Sequence, residues 1–388
     1  MIAIAPFQPG WDALIANFER VYPTIKVDIT YAPGSSVEYQ LETTELAAGN
    51  APDLLATTPG CGTPIAICRL AAAGDLAPMV HKAWAKRSLP LVTSLAKHGG
   101  GLYAFTASVS PFGLFTNDGL LTKLGLRVPR TFAQLLGMCA KAKADGTAAV
   151  LLAGGAPVSV TYLLTALSIG PVYANDPHWA AKRRTGKATF EGTPGWHRAF
   201  GEFVELNDAG CFPRGAAAAS SNEAAAAFAQ GQGLMLPDPS SFKGQIDAAA
   251  PRFGYSFHPL PATTAGGTST LLDPGNALSV NAHASADAQA AAQTFVDFVA
   301  RPKQNALFAR LTGGLTQYEF LERQTPRFMS AFAPVLKEKA YVVNPFKTWW
   351  NADVSLALQQ NGIGLITGQR SVDDVLNAMD AAWNEGPR

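Results

Sequence analysis

The first sixty residues alternate strand and helix, and this alternation restricts the fold more than any other feature of the chain. Met1-Ile-Ala-Ile-Ala-Pro6 reads as a strand, and Trp11, Leu14, Ile15 and Phe18 then follow the i, i+3, i+4, i+7 spacing of an amphipathic helix that Pro23 ends. Val27, Ile29 and Tyr31 alternate with polar residues as a second strand. A helix over 36–48, with Val37, Leu41 and Ala48 on one face, stops at Gly49-Asn50. The buried strand Asp53-Leu-Leu-Ala56 runs into the turn Thr57-Thr-Pro-Gly60. Strand–helix–strand–helix–strand order implies a mostly parallel sheet covered by helices, in which ligands bind beyond the carboxyl ends of the strands. The loops Phe7–Gly10 and Thr57–Gly60 therefore become candidates on geometry alone.

A second unit of the same kind begins near residue 110. Leu114–Thr116 reads as a strand, Asn117 as a helix cap, and Thr131-x-x-Gln134 as a capping box ahead of Phe132, Leu135, Leu136 and Cys139. Val150–Leu152 and Leu234–Leu236 read as strands, with helices over 159–169, 195–209 and 222–230. The helix at 159–169 ends at Gly170-Pro171, and Pro237-Asp-Pro-Ser-Ser241 forms a loop. Strand-like pieces at 253–257 and 277–280 precede a helix over 286–300, and the C-terminal third is helical. At 388 residues the chain has length for two to three domains. Charged residues are only 15% and the net charge is +1, which gives no long-range attraction to phosphate backbones or anionic lipid and sets nucleic acid aside as a partner. No stretch approaches the run of about 18 apolar residues that spans a membrane.

Searches for catalytic chemistry come back empty. There is no G-x-S-x-G elbow, no H-E-x-x-H and no His pair at i, i+4 among the six histidines. Gly60-Cys-Gly62 lacks the third glycine of a dinucleotide fingerprint. No catalytic residue, metal site or cofactor is expected. Cys61 and Cys68 close a small loop that a disulfide could staple, given export to an oxidising compartment. Cys139 reads as a small buried hydrophobe on a helix face, and Cys211 follows Gly210 at a helix end. The opening residues lack the basic start and apolar run of a signal peptide, which fits either a cytosolic protein or a removed leader.

Six segments in order resemble the carbohydrate-type solute-binding proteins of ABC transporters, the maltodextrin-binding-like group. They are Phe18-Glu-Arg-Val-Tyr-Pro-Thr-Ile-Lys-Val27, Leu46-Ala-Ala-Gly-Asn-Ala-Pro-Asp53, Gly101-Leu-Tyr-Ala104 with Leu114-Phe-Thr-Asn-Asp118, Leu124-Gly-Leu-Arg-Val-Pro-Arg-Thr-Phe132, Phe228-Ala-Gln-Gly-Gln-Gly-Leu-Met235 and Gly368-Gln-Arg-Ser-Val-Asp-Asp-Val-Leu376. Thr106 and Thr116 depart from the proline and tyrosine common in the family. The resemblance implies the two-lobe periplasmic-binding-protein fold, with residues 1–109 and 260–311 in the N-terminal lobe and 112–257 and 316–388 in the C-terminal lobe. Hinges are expected near 108–113, 257–261 and 311–316. It also implies a non-enzymatic, monomeric protein in the periplasm or outside the cell, with lipid anchoring left open. Such a protein would close on a sugar in an interlobe cleft and deliver it to the transmembrane subunits of an ABC permease. A phosphorylated or amino-sugar cargo, such as a glycerophosphodiester, is the alternative within this fold, and a carbohydrate-active hydrolase or lyase the alternative outside it.

Sugars present apolar C–H faces and a rim of hydroxyls, so a site for them needs aromatic platforms and side chains that both donate and accept hydrogen bonds. Trp349 and Trp350 are neighbours and cannot easily share one core, so one of them is expected to face a cavity. Trp11 stands between a core and a cleft reading, beside Gln8 as a hydroxyl reader. Thr57 and Thr58 follow the third strand, and Ser108 and Ser110 lie on the expected crossing segment. Tyr162 starts a helix where core packing competes with ligand contact. Asp238 and Asn276 are loop candidates. Arg69 and Lys82 would serve an anionic cargo if they were not simply solvated.

Overall fold

The computed structural model describes residues 1–262, 267–275, 277–322 and 324–385. The chain divides into two compact units, one of residues 1–110, 241–244 and 273–324, the other of 111–240, 245–272 and 325–388.

In the first unit, Ile2–Ile4 pairs in parallel with Thr30–Ala32, and the helix Gln8–Val21 lies between them in sequence. That helix buries Trp11, Leu14 and Phe18, the stripe its spacing predicts. The Trp11 ring lies 4.3 Å from Phe308 of the helix Pro302–Thr312, and Phe18 meets Phe295 and Phe298 edge-on. Gly10 permits this approach, because a Cβ there would stand 2.7 Å from Cδ2 of Phe308. The second sheet centres on Ala277–Asn281. It pairs antiparallel with Leu54–Thr57 on one side and with Ala104–Thr106 and Leu76–Ala77 on the other.

The second unit carries a six-stranded sheet in the order Tyr341–Val343, Thr270–Pro274, Val109–Asn117, Gly233–Pro239, Ala148–Val150, with Tyr255–His258 also paired to Val109–Asn117. Helices Pro157–Ser168, Pro194–Asp208, Ala352–Gly362 and Val372–Glu385 pack together over one large apolar core. Asn117 Oδ1 accepts from the Leu120 amide at 2.9 Å, as a cap should. The stretch 157–174 is long and apolar enough to cross a membrane, yet 72% of it is buried within the unit, so its apolarity serves the core. Instead of stopping at Gly170-Pro171 it continues as a π-helical turn through Ala174.

Two expectations need correction. The sheets are mixed rather than mostly parallel. The strand Ala277–Asn281 returns to the first unit from the second and runs against all three of its neighbours. The helix Ser35–Ala48 is turned the other way round: Val37 and Leu41 are exposed, and Glu38, Tyr39 and Glu42 are buried. Glu42 Oε1 accepts from the Ala56 amide at 3.0 Å, tying the helix to the strand it covers. Burial, reinforced by Glu38, holds the Glu42 carboxyl well above the usual range. The chain passes between the units at 110/111, 240/241, 244/245, 272/273 and 324/325. Thr270–Leu272 pairs in parallel with Tyr341–Val343 and stays with the second unit. Leu315 bridges Val109, and the Gln317 side chain donates to Thr106 O and accepts from Leu89 N, which holds that stretch in the first.

Candidate functional site

Within the first unit, most of the candidates turn out to be internal. Gln8 is exposed as the first residue of its helix. Trp11 is core, and its indole Nε1 finds no partner among the described residues. The Thr57 hydroxyl shares a 2.7 Å hydrogen bond with Ser279, and Thr58 shares a short one with Thr63, so both threonines are buried and paired. The Thr58–Cys68 loop doubles back on itself: Ile67 N donates to Thr58 O and Cys68 N to Gly60 O. The expected Cys61–Cys68 disulfide closes this loop. Ser108 and Ser110 both flank Gly314, where a Cβ would come within 2.9 Å of Ser108 Cβ and 3.3 Å of Ser110 Oγ. Ser110 Oγ is buried and unpartnered among the described residues. Asn276 lies outside the described residues. Arg69 is solvated, whereas Lys82 is held by Asp297 at 2.9 Å, which takes it out of consideration for an anionic cargo.

In the second unit the tryptophan pair separates as the chain geometry requires. Trp349, 0% exposed, packs against Phe190 and Trp196 and donates from Nε1 to the Tyr173 hydroxyl at 3.2 Å. It is therefore a core residue and not a ligand platform. Its backbone is extended at φ −60°, ψ 143°, so the next side chain points the other way. Trp350 is 37% exposed, with the Arg184 guanidinium 4.1 Å from its ring centroid. Tyr162 also belongs to the core, stacked on Phe112 and edge-on to Phe346.

Asp238 departs furthest from expectation. It belongs to the strand Gly233–Pro239, opposite Gly113, rather than to a loop. Its side chain is 4% exposed, and Oδ1 has no partner among the described residues. Pro237 and Pro239 supply no N–H on either side. Burial alone, with no charge acting on it, pushes this carboxyl well above the ordinary range. Two residues on, the buried Ser240 Oγ is likewise unpartnered among the described residues, a residue the sequence reading passed over although it lies in the same Pro-Asp-Pro-Ser-Ser run.

A polar chain on neighbouring strands has a structural role. The Ser256 hydroxyl donates to Asp118 Oδ1 at 2.6 Å, and Thr116 donates to the same oxygen at 3.0 Å. His258 Nε2 sits 2.9 Å from Ser256. With its proton already committed to the carboxylate, the serine hydroxyl is an acceptor toward the imidazole, the reverse of an activated nucleophile.

The family profile of the bacterial extracellular solute-binding proteins matches residues 4–306. The chain belongs to this family. The resemblance read from the six ordered segments is thereby borne out. No curated protein matches the chain. Among solved structures, one from a study of xylan utilization by the thermophilic bacterium Caldanaerobius polysaccharolyticus superposes with a TM-score of 0.84 at 17% identity, over 98% of each chain. Maltose-bound MalE3 of T. maritima gives 0.80 at 20% identity over 99% of each chain. RafE in complex with raffinose gives 0.78 at 20% identity over 99% of this chain and 98% of that one. These likenesses establish the two-lobe fold of the solute-binding family across the whole sequence.

Proposed function

We propose that this solute-binding protein captures a mono- to oligosaccharide by hinge closure and hands it to the transmembrane subunits of an ABC permease, working as a monomer in the periplasm or outside the cell. The observation that carries this reading is that two of the residues picked out as ligand candidates, Ser110 and Asp238, each keep a buried polar atom without a partner among the described residues. An unpaired buried polar group costs about 1–3 kcal/mol, a cost that a ligand rich in hydroxyls removes. Structural relatives that hold maltose and raffinose support a sugar as cargo. Two disulfides, Cys61–Cys68 and Cys139–Cys211, suit an oxidising compartment. Ligand binding biases a two-state hinge equilibrium only through contacts it makes better in one state, which is the role assigned to these groups.

A thermal-shift screen over a sugar panel tests the reading. At about 100 times its dissociation constant the right ligand stabilises the protein by about 2.7 kcal/mol. A panel in which no saccharide raises the melting temperature would sink the assignment.

With Trp349 in the core, the role of stacking platform falls to Trp350. Trp350→Ala is expected to weaken sugar affinity at least tenfold while the protein loses no more than about 1 kcal/mol, as fits an exposed ring under a cation–π contact. Titration calorimetry and a melting curve on the same sample check it. Unchanged affinity would remove Trp350 from the ligand site.

A further inference from the structure

We propose that Asp238, with Ser240 two residues on, is the counter-ion for an amine-bearing sugar. The inference rests on the sugar-binding reading and narrows its substrate class.

The argument starts from what the local sequence withholds. A buried carboxyl is normally paired with a cation or bonded to backbone amides. At Asp238 the two flanking residues are prolines without N–H groups, and the opposite strand presents Gly113 and Phe112 in register, neither with a side-chain donor. Among the described residues burial is what shifts the carboxyl, with no charged group offsetting it. Its Oδ1 is unpartnered among the described residues, as are a second pure acceptor, Gln245 Oε1, and the Ser240 hydroxyl, which can donate or accept. Gln245 donates from Nε2 to Asn222, which leaves its carbonyl oxygen open. The local deficit is thus one of donors. A neutral polyol would fill part of it, but only a group with several N–H donors and a positive charge also offsets the burial of a carboxylate.

The proton balance is simple. In the unliganded protein burial favours the acid form of the carboxyl. When a protonated amine docks, the O–H bond breaks, the proton leaves to solvent and the carboxylate remains paired with the ammonium. Binding of an amine-bearing ligand is therefore expected to release protons, and binding of a neutral sugar is not.

The test compares chitobiose, which carries two amines, with N,N′-diacetylchitobiose and with cellobiose, by titration calorimetry at pH 6 on the full chain. Each titration is run in two buffers of different ionisation enthalpy. Chitobiose is expected to bind at least tenfold tighter than either neutral disaccharide and to release protons on binding, which the neutral sugars do not. Asp238→Asn keeps the side-chain volume and should abolish both the preference and the proton release, with the melting temperature of the free protein unchanged or raised. Equal affinities in the wild-type protein, tighter binding of the neutral sugars, or a preference that survives Asp238→Asn would overturn the inference while leaving the sugar reading intact. Failure of all three disaccharides, together with the wider panel, would overturn both.

Discussion

Trp349→Ala is expected to destabilise the protein by about 3–5 kcal/mol, the range for removing a buried tryptophan side chain from a packed core. Two kinds of interaction go at once, packing and a hydrogen bond. The indole fills space against Phe190 and Trp196, its Nε1 is the donor to the Tyr173 hydroxyl, and Tyr173 in turn meets Trp179 and Trp196 edge-on. Removing the ring therefore leaves a cavity and also strips a buried hydroxyl of its donor, which raises the cost above that of a pure cavity. For a protein of this size each kcal/mol is worth roughly 2–4 °C, so the melting temperature should fall by about 10 °C. Trp349→Phe separates the two contributions, because it restores much of the volume and none of the hydrogen bond. Its loss should be intermediate. The affinity of the molecules that remain folded should be unchanged in both variants. A Trp349→Ala protein that melts with the wild type and has lost its ligand would mean that the indole faces cargo and not core.

The contrast with Trp350 shows what the sequence carries and what it does not. That one of two adjacent tryptophans must leave the core follows from backbone geometry, but which one depends on where the chain sits on the second unit. Local signals were legible wherever the physics is local. Ser371 and Asp374 form the reciprocal cap their spacing announces, with Ser371 N donating to Asp374 at 2.8 Å and Asp374 N to Ser371 at 3.1 Å. The helix after them buries Val375 and Met379 as its periodicity requires. Strand direction was not legible, because the partner of Leu54–Thr57 comes from more than two hundred residues further along, and periodicity says nothing of polarity. The inverted helix Ser35–Ala48 escaped for a related reason. Glu42 goes inward to meet the Ala56 amide, a tertiary contact that overrides the apolar pattern of Val37 and Leu41. Pro-Asp-Pro read as a turn because proline is excluded from central strands. The strand tolerates both prolines because the neighbouring strand Ala148–Val150 pairs only as far as Met235, so beyond that point one edge is free and no ladder bond is lost there. Asp238 is buried through that exception, and no composition rule could have found it.

Replacing Cys139 and Cys211 together by alanine is expected to cost about 4 kcal/mol, from the chain entropy of a closed loop of this length. The two residues stand 72 apart in sequence, both wholly buried, and their bond joins the helix Phe132–Ala144 to the chain just after the helix Pro194–Asp208. Cys139 is thus no isolated hydrophobe. Its place on the apolar helix face is where the bridge crosses the core, and a spacing of this size carries no local sign of pairing. The Cys61–Cys68 bridge spans only 7 residues, and the same relation gives it about 2 kcal/mol. Denaturant titration of the two double-alanine variants should therefore rank them in that order, with Cys139→Ala/Cys211→Ala the less stable. Access should rank them the other way: a mild thiol reductant applied to the folded protein should open the half-buried Cys61–Cys68 loop first and leave the core bridge closed. If the Cys139→Ala/Cys211→Ala protein unfolded at the wild-type denaturant concentration, the long loop would have to be constrained already in the unfolded chain, and the core around Phe203 and Phe212 would alone hold that end of the second unit together.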